Sequence, residues 1–132
     1  MAFTQGDWDH AIALGRKSIE LNPRDGDGLS GTGLHLLFHG LYAESRELIE
    51  RAIAIYPDSP SLAYRYRGII EWRATGNAEA ALAQRERTPV GLRDPRFFCD
   101  QAIFRFQKRD LRGASADFAV ARDLARKEAR ST

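Results

Sequence analysis

The chain is 132 residues long, 43% hydrophobic and 29% charged, with a formal net charge of +2. This composition excludes a disordered chain, and the length suits one domain with a modest core. The charge is too small to argue for nucleic acid. No apolar run approaches the roughly 18 residues of a membrane span, and the lone cysteine, Cys99, rules out an internal disulfide.

The opening "MAFTQGDWDH" is neither basic nor apolar, so it is no secretory signal; with the lone cysteine this points to the cytoplasm. Apolar spacing then predicts a helix over 7–21, capped by Asp7 and carrying Ile12, Leu14, Ile19 and Leu21. The stretch "LNPRDGDGLSGTG" follows. Its Gly26, Gly28 and Gly31 fit G-x-G-x-x-G, and Asp25, Asp27 and Gly28 resemble the start of a calcium loop. A dinucleotide loop needs a strand before it, and a helix stands there instead. A calcium loop needs an oxygen ligand where Pro23 sits and a glutamate where Leu34 sits. The stretch therefore reads as a turn into a second helix over 27–39, in which Gly31 and Gly33 let a neighbour pack closely.

On that helix His35 and His39 stand one turn apart, a spacing that can serve a metal, but no third ligand is near. The plainer reading has both flanking an apolar face, and no metal or cofactor is expected. Further helices are predicted over 42–55, 60–74, 77–87, 95–108 and 111–128. Ser59-Pro60 and Asp94-Pro95 read as a cap followed by proline at the first helical position, and Asn77 as another cap. All five prolines fall at element boundaries. No alternating run suggests a strand. Cys99, after Phe97-Phe98, reads as a buried thiol rather than a nucleophile, and with no nucleophile elbow the chain is not expected to be an enzyme.

These helices repeat. "GDWDHAIALGRKSIELNP" (Gly6 to Pro23) aligns with "GLYAESRELIERAIAIYP" (Gly40 to Pro57), pairing Trp8 with Tyr42, Ala11 with Ser45, Leu14 with Leu48, Ser18 with Ala52 and Ile19 with Ile53. The shift is about 34 residues, the period of a helix–turn–helix solenoid. Weaker copies begin at Gly76, with Ala81 in the place of Ala11, and in "RDLRGASADFAVARDLA", where Ala114, Phe118 and Ala121 keep the spacing of Ala11, Gly15 and Ser18. The pattern resembles the tetratricopeptide repeat (TPR) family. Gly40, Tyr42, Ser45, Ile49, Ala52 and Pro57 fill its second-helix places, and Leu29, Gly33 and Leu36 its first-helix places, with Thr32 where leucine is usual. The implied fold is all-α, a right-handed superhelical solenoid of about three and a half antiparallel helix hairpins. It would form one domain over 1–132: a partial repeat 6–25, then repeats 26–59, 60–93 and 94–132.

The resemblance implies a protein-interaction module whose first helices line a concave groove for a peptide or a partner helix. The residues it places there are Leu34 and Phe38, then Tyr66, Ile70 and Arg73, then Ile103 and Phe106, with Ser30, Leu37, Arg96 and Cys99 alongside. The same spacing also serves the core between hairpins, and both readings stand for Ile103 and Phe106. Arg65, Arg67, Arg73, Arg85, Arg87, Arg93 and Arg96 outnumber Glu71, Glu79, Glu86 and Asp94, so an acidic peptide or a C-terminal carboxylate is the natural partner, unless these arginines only solvate a surface or pair along helices. The lysine–asparagine clamp of some family members is absent, with Ser30 and Leu34 in its place. The alternative is a regulatory or sensory segment of a larger protein such as a transcription regulator. No nucleic acid or membrane partner is expected. Helix 7–21 lacks the first helix of its repeat, which predicts self-association through Ile12, Ile19 and their neighbours, unless the array is longer.

Overall fold

A computed structural model describes residues 4–58 and 62–131, and these form seven α-helices and no strand. In order they are α1 (Gln5–Leu21), α2 (Gly26–Phe38), α3 (Tyr42–Ile55), α4 (Leu62–Thr75), α5 (Ala78–Arg85), α6 (Pro95–Gln107) and α7 (Leu111–Arg130), with a short 3-10 turn at Val90–Leu92 before α6. Among the described residues no helix is long and apolar enough to cross a membrane. The helix order is the predicted one; of the stretch from Leu21 to Gly33 only residues 22–25 form the turn between α1 and α2, and the rest, from Gly26, is already α2. The helices fall into two compact units, one through Ile70 and one from Glu71.

The ends of the helices follow local chemistry. Asp94 Oδ1 accepts from the Phe97 amide at 2.9 Å with Pro95 inside the first turn, and Asn77 Oδ1 accepts from the Ala80 amide at 3.1 Å. Both caps are where the sequence puts them. The Ser59-Pro60 cap lies outside the described residues. α1 corrects the sequence reading, since its cap is Thr4 and not Asp7. The Thr4 hydroxyl takes the Asp7 amide while the Asp7 carboxylate takes the Thr4 amide at 2.9 Å, a reciprocal box. That exchange holds the Asp7 carboxyl below the usual carboxylate range. α5 stops at Arg85, short of the predicted 87, and tightens into turns in which the Arg87 amide reaches Gln84 and the Thr88 amide reaches Arg85 ahead of Pro89.

Three hairpin turns share one device. The residue after the first helix takes left-handed backbone: Gly40 at φ 83°, Gly76 at φ 66° and Arg109 at φ 65°. In two of them the next amide reaches back five residues, Leu41 to Leu36 and Asp110 to Arg105, both at 2.9 Å. Left-handed backbone costs a residue with a Cβ about 1–2 kcal/mol, partly offset because glycine loosens the unfolded chain. Arg109→Gly should therefore raise stability by up to about 1 kcal/mol, read as a higher urea midpoint with an unchanged slope. A lower midpoint would mean that the Arg109 side chain contributes more than its strained backbone costs.

In the first unit, α2 is the central element. Leu29, Leu36 and Leu37 are buried, each worth about 1.5–3 kcal/mol. α3 meets it through Ser45, Leu48, Ile49 and Ala52, all buried. The Ser45 hydroxyl donates to the Gly33 carbonyl at 2.6 Å, and a β-carbon on Gly33 would lie 2.8 Å from Ile49 Cδ1. Glycine is what allows this approach. α1 crosses α2 antiparallel, with Trp8 edge-on to His35 and near Phe38, and with Gly15 so close to Thr32 that a β-carbon there would collide. Gly31, expected to do the same, does not: a β-carbon there would meet nothing. Ile12 is buried, so it cannot carry self-association from the surface, and Ile19 is half-buried; Leu14 and Leu21 are large apolar side chains that α1 leaves exposed.

In the second unit, Ala81 and Leu82 of α5 pack on Phe104 of α6, with Trp72 against them. α6 and α7 form the main hairpin, with Ala114 and Ala121 turned inward.

Candidate partner-binding surface

The sequence-predicted residues divide by burial. Tyr66 is 7% exposed and Ile70 1%, so neither offers surface to a partner in this state. What α4 presents instead is Arg65 and Ile69, half-buried, and Arg73, exposed. On α2 Leu34 is half-buried and Phe38 exposed, with Trp8 leaning over Phe38 at 6.2 Å. On α6 Ile103 is exposed and Phe106 is 61% exposed. Arg96 is exposed and Cys99 half-buried on the same helix, while Leu37 on α2 is core. The structure thus brings Leu34 and Phe38 together on one helix of the first unit, and Ile103 and Phe106 on one helix of the second.

The α6 surface is firmly held. Arg105 lies between two carboxylates, its Nε 2.7 Å from Asp117 and its Nη1 3.3 Å from Asp110. The Gly113 amide, helped by Arg105, holds Asp110 below the usual carboxylate range. Burial pushes Asp117 up, against the pull of Arg105. On the other side Lys108 donates to Glu79 of α5 at 2.8 Å and keeps that carboxyl low. These contacts fix α6 between α5 and α7, so Ile103 and Phe106 stand on a framed helix rather than on a loose end.

The arginine-rich stretch is largely structural. Arg85 is 1% exposed: its guanidinium lies 4.7 Å from the Phe97 ring and 5.8 Å from that of Phe104, and it donates to the Phe97 carbonyl at 2.7 Å and to Gln101 Oε1 at 3.0 Å, with Asp100 at 3.7 Å. Arg93 donates to the Thr88 and Glu86 carbonyls, both at 3.1 Å, and its guanidinium also lies 5.1 Å from the Phe97 ring. Arg67, also buried, makes a two-pronged pair with Glu50 of α3 at 2.9 and 2.8 Å. Only Arg73, Arg87 and Arg96 of the set are exposed. Sequence reasoning missed the role of Arg85, although a signal existed: Ala78, Ala81, Leu82 and Arg85 follow one inward stripe on α5.

The two helix-borne histidines are separated in use. His39 lies against Gln5 and, at 3.6 Å, Asp9, while His35 stands beside Trp8. Among the described residues no three His, Cys, Asp or Glu side chains are grouped as a metal would need. In the first unit Arg16 of α1 reaches Glu44 of α3 at 2.8 and 2.6 Å and lowers that carboxyl. Being exposed, this pair adds little stability. Its effect is to tie α1 to the hairpin beyond its neighbour.

No protein-family model matches this chain, and no curated protein matches it in sequence. Among solved structures it resembles the MamA RS-1 ArsTM double mutant at a TM-score of 0.73 and 20% identity, over 93% of this chain and 68% of that one. A crystal structure of MamA matches at a TM-score of 0.52 and 18% identity, over 96% of this chain and 93% of that one. At such identity the likeness concerns architecture: the chain has a TPR-like fold of antiparallel helix hairpins.

Proposed function

We propose that this chain is a TPR-family protein-interaction module, not an enzyme, which holds a peptide or a partner helix on exposed faces of its first-type helices, α6 above all. The observation that carries this reading is the pair Ile103 and Phe106: two large apolar side chains in solvent, one turn apart, on a helix framed by ion pairs on both sides. Rigid exposed apolar anchors of this kind supply binding energy at low ordering cost. Leu34 and Phe38 give α2 a smaller surface of the same type. Arg96 and Arg73, both exposed, favour a partner that carries carboxylates. The lone cysteine suits a reducing compartment, the cytoplasm.

The test starts from a pull-down with the intact chain and identification of the bound protein. Against that partner, Ile103→Ala and Phe106→Ala should each cost about 2 kcal/mol or more of binding, with the circular dichroism and urea midpoint nearly unchanged. Binding that survives both substitutions would remove α6 from the interface. Arg96→Glu distinguishes an acidic partner, whose affinity it should lower, from a neutral one.

A further inference from the structure

We infer that the turn between α6 and α7 reads paired carboxylates on the segment that α6 holds, through Arg109 and Arg112. This deepens the α6 reading and rests on it for the apolar part of the partner.

The turn is built to stay in place. The Asp110 amide reaches back to the Arg105 carbonyl and the Arg109 amide to the Phe106 carbonyl, both at 2.9 Å. Asp110 Oδ1 accepts from the Gly113 amide at 2.9 Å, and Arg105 holds the other carboxylate oxygen at 3.3 Å. A side chain mounted on such a frame loses little freedom when a partner arrives.

Arg109 is the odd residue. At the two sister turns the left-handed position is held by Gly40 and Gly76, which take that backbone without strain. Arginine does not, and the usual exceptions are asparagine and aspartate. Nor does its side chain bond to the fold. Among the described residues no ion pair or hydrogen bond reaches the guanidinium of Arg109 or of Arg112, and both are exposed. A residue kept against its own backbone preference, with its charge in solvent, is kept for a contact outside the fold.

The neighbouring acids do not neutralise this pair. Asp110 and Asp117 face Arg105, and Glu79 faces Lys108. That leaves two uncompensated guanidiniums on a turn that also presents Phe106, 61% exposed, and Leu111, 62% exposed. The planar fork of a guanidinium matches a carboxylate. A nucleic-acid backbone or an anionic bilayer recruits clusters of about four or more cations. Two on one turn suit discrete carboxylates, carried by a protein segment whose apolar residues meet Phe106 and Leu111.

The probe is acetyl-Glu-Glu-Leu-Phe-Glu-Glu, labelled for anisotropy against the full chain, with a twin in which glutamine replaces every glutamate. The acidic peptide should bind saturably and lose about tenfold or more on Arg109→Gly, down to the level of its neutral twin. Arg112→Gln should act in the same direction. The twin should not respond to either substitution, and the urea midpoint of Arg109→Gly should hold or rise, so lost folding cannot mimic the result. Phe106→Ala tests the α6 reading instead and should weaken both peptides alike. If Phe106→Ala acts and the arginine variants bind the acidic peptide as wild type does, α6 remains a surface and this inference is overturned. Absence of saturable binding by the acidic peptide up to millimolar concentration overturns it as well. Capture of the chain by phosphatidylserine vesicles, lost on Arg109→Gly while the peptides stay unbound, would assign the turn to a lipid surface and overturn it too.

Discussion

Arg85→Ala will destabilise the second unit by about 3–5 kcal/mol, the usual cost of removing one partner from a buried charge network. The guanidinium is sandwiched near two rings and satisfies the Phe97 carbonyl and Gln101. Alanine leaves both acceptors and the nearby Asp100 without it, and opens a void between α5 and α6. Since a domain of this size has about 5–15 kcal/mol in total, thermal unfolding should broaden or split as the second unit melts early. Arg85→Met keeps much of the volume and should cost less. A loss below about 1 kcal/mol for the alanine variant would mean that water replaces the guanidinium and that the network is a surface feature.

Ile70→Ala is the companion experiment at the other end of the argument. Ile70 is buried, so its truncation should cost about 2–5 kcal/mol of stability, read as a lower urea midpoint. The same kind of truncation at Phe106 should leave stability nearly intact. The two variants separate core from surface on residues that the sequence places in one list. If Ile70→Ala were as stable as wild type, α4 would present that residue to solvent and the surface would need redrawing.

The reason for that mixed list is physical. α4 reads "LAYRYRGIIEWRAT", with Tyr64, Tyr66, Ile69, Ile70 and Trp72 spread around its circumference. No single polar face marks which way it turns, so spacing cannot choose between Tyr66 and Arg65 as the outward residue. α6 has the same ambiguity in reverse: Gln101 is buried while Phe106 is exposed. On α2 the repeat pattern gave Leu29, Gly33 and Leu36 their first-helix places and Phe38 an outward one, but the same spacing also put Leu37 on the surface, where the structure buries it. The helices themselves were legible because each is bracketed by a cap, a glycine or a proline. Thr4 escaped notice because its partner in the capping box is Asp7, an acid that reads equally well as a cap.

Pairing between neighbours also governs how the chain comes off the ribosome. Side-chain bonds such as Gln5 to His39, 34 residues apart, and Arg16 to Glu44, 28 apart, tie helices that are near neighbours along the chain. Short loops cost little entropy to close, so such contacts form quickly and in the order in which their residues emerge. Ser45 can find Gly33, and Arg16 can find Glu44, before any residue of α6 has been added. The first unit therefore needs nothing from the second to begin folding, and a nascent chain halted after α4 would already hold α2 between α1 and α3.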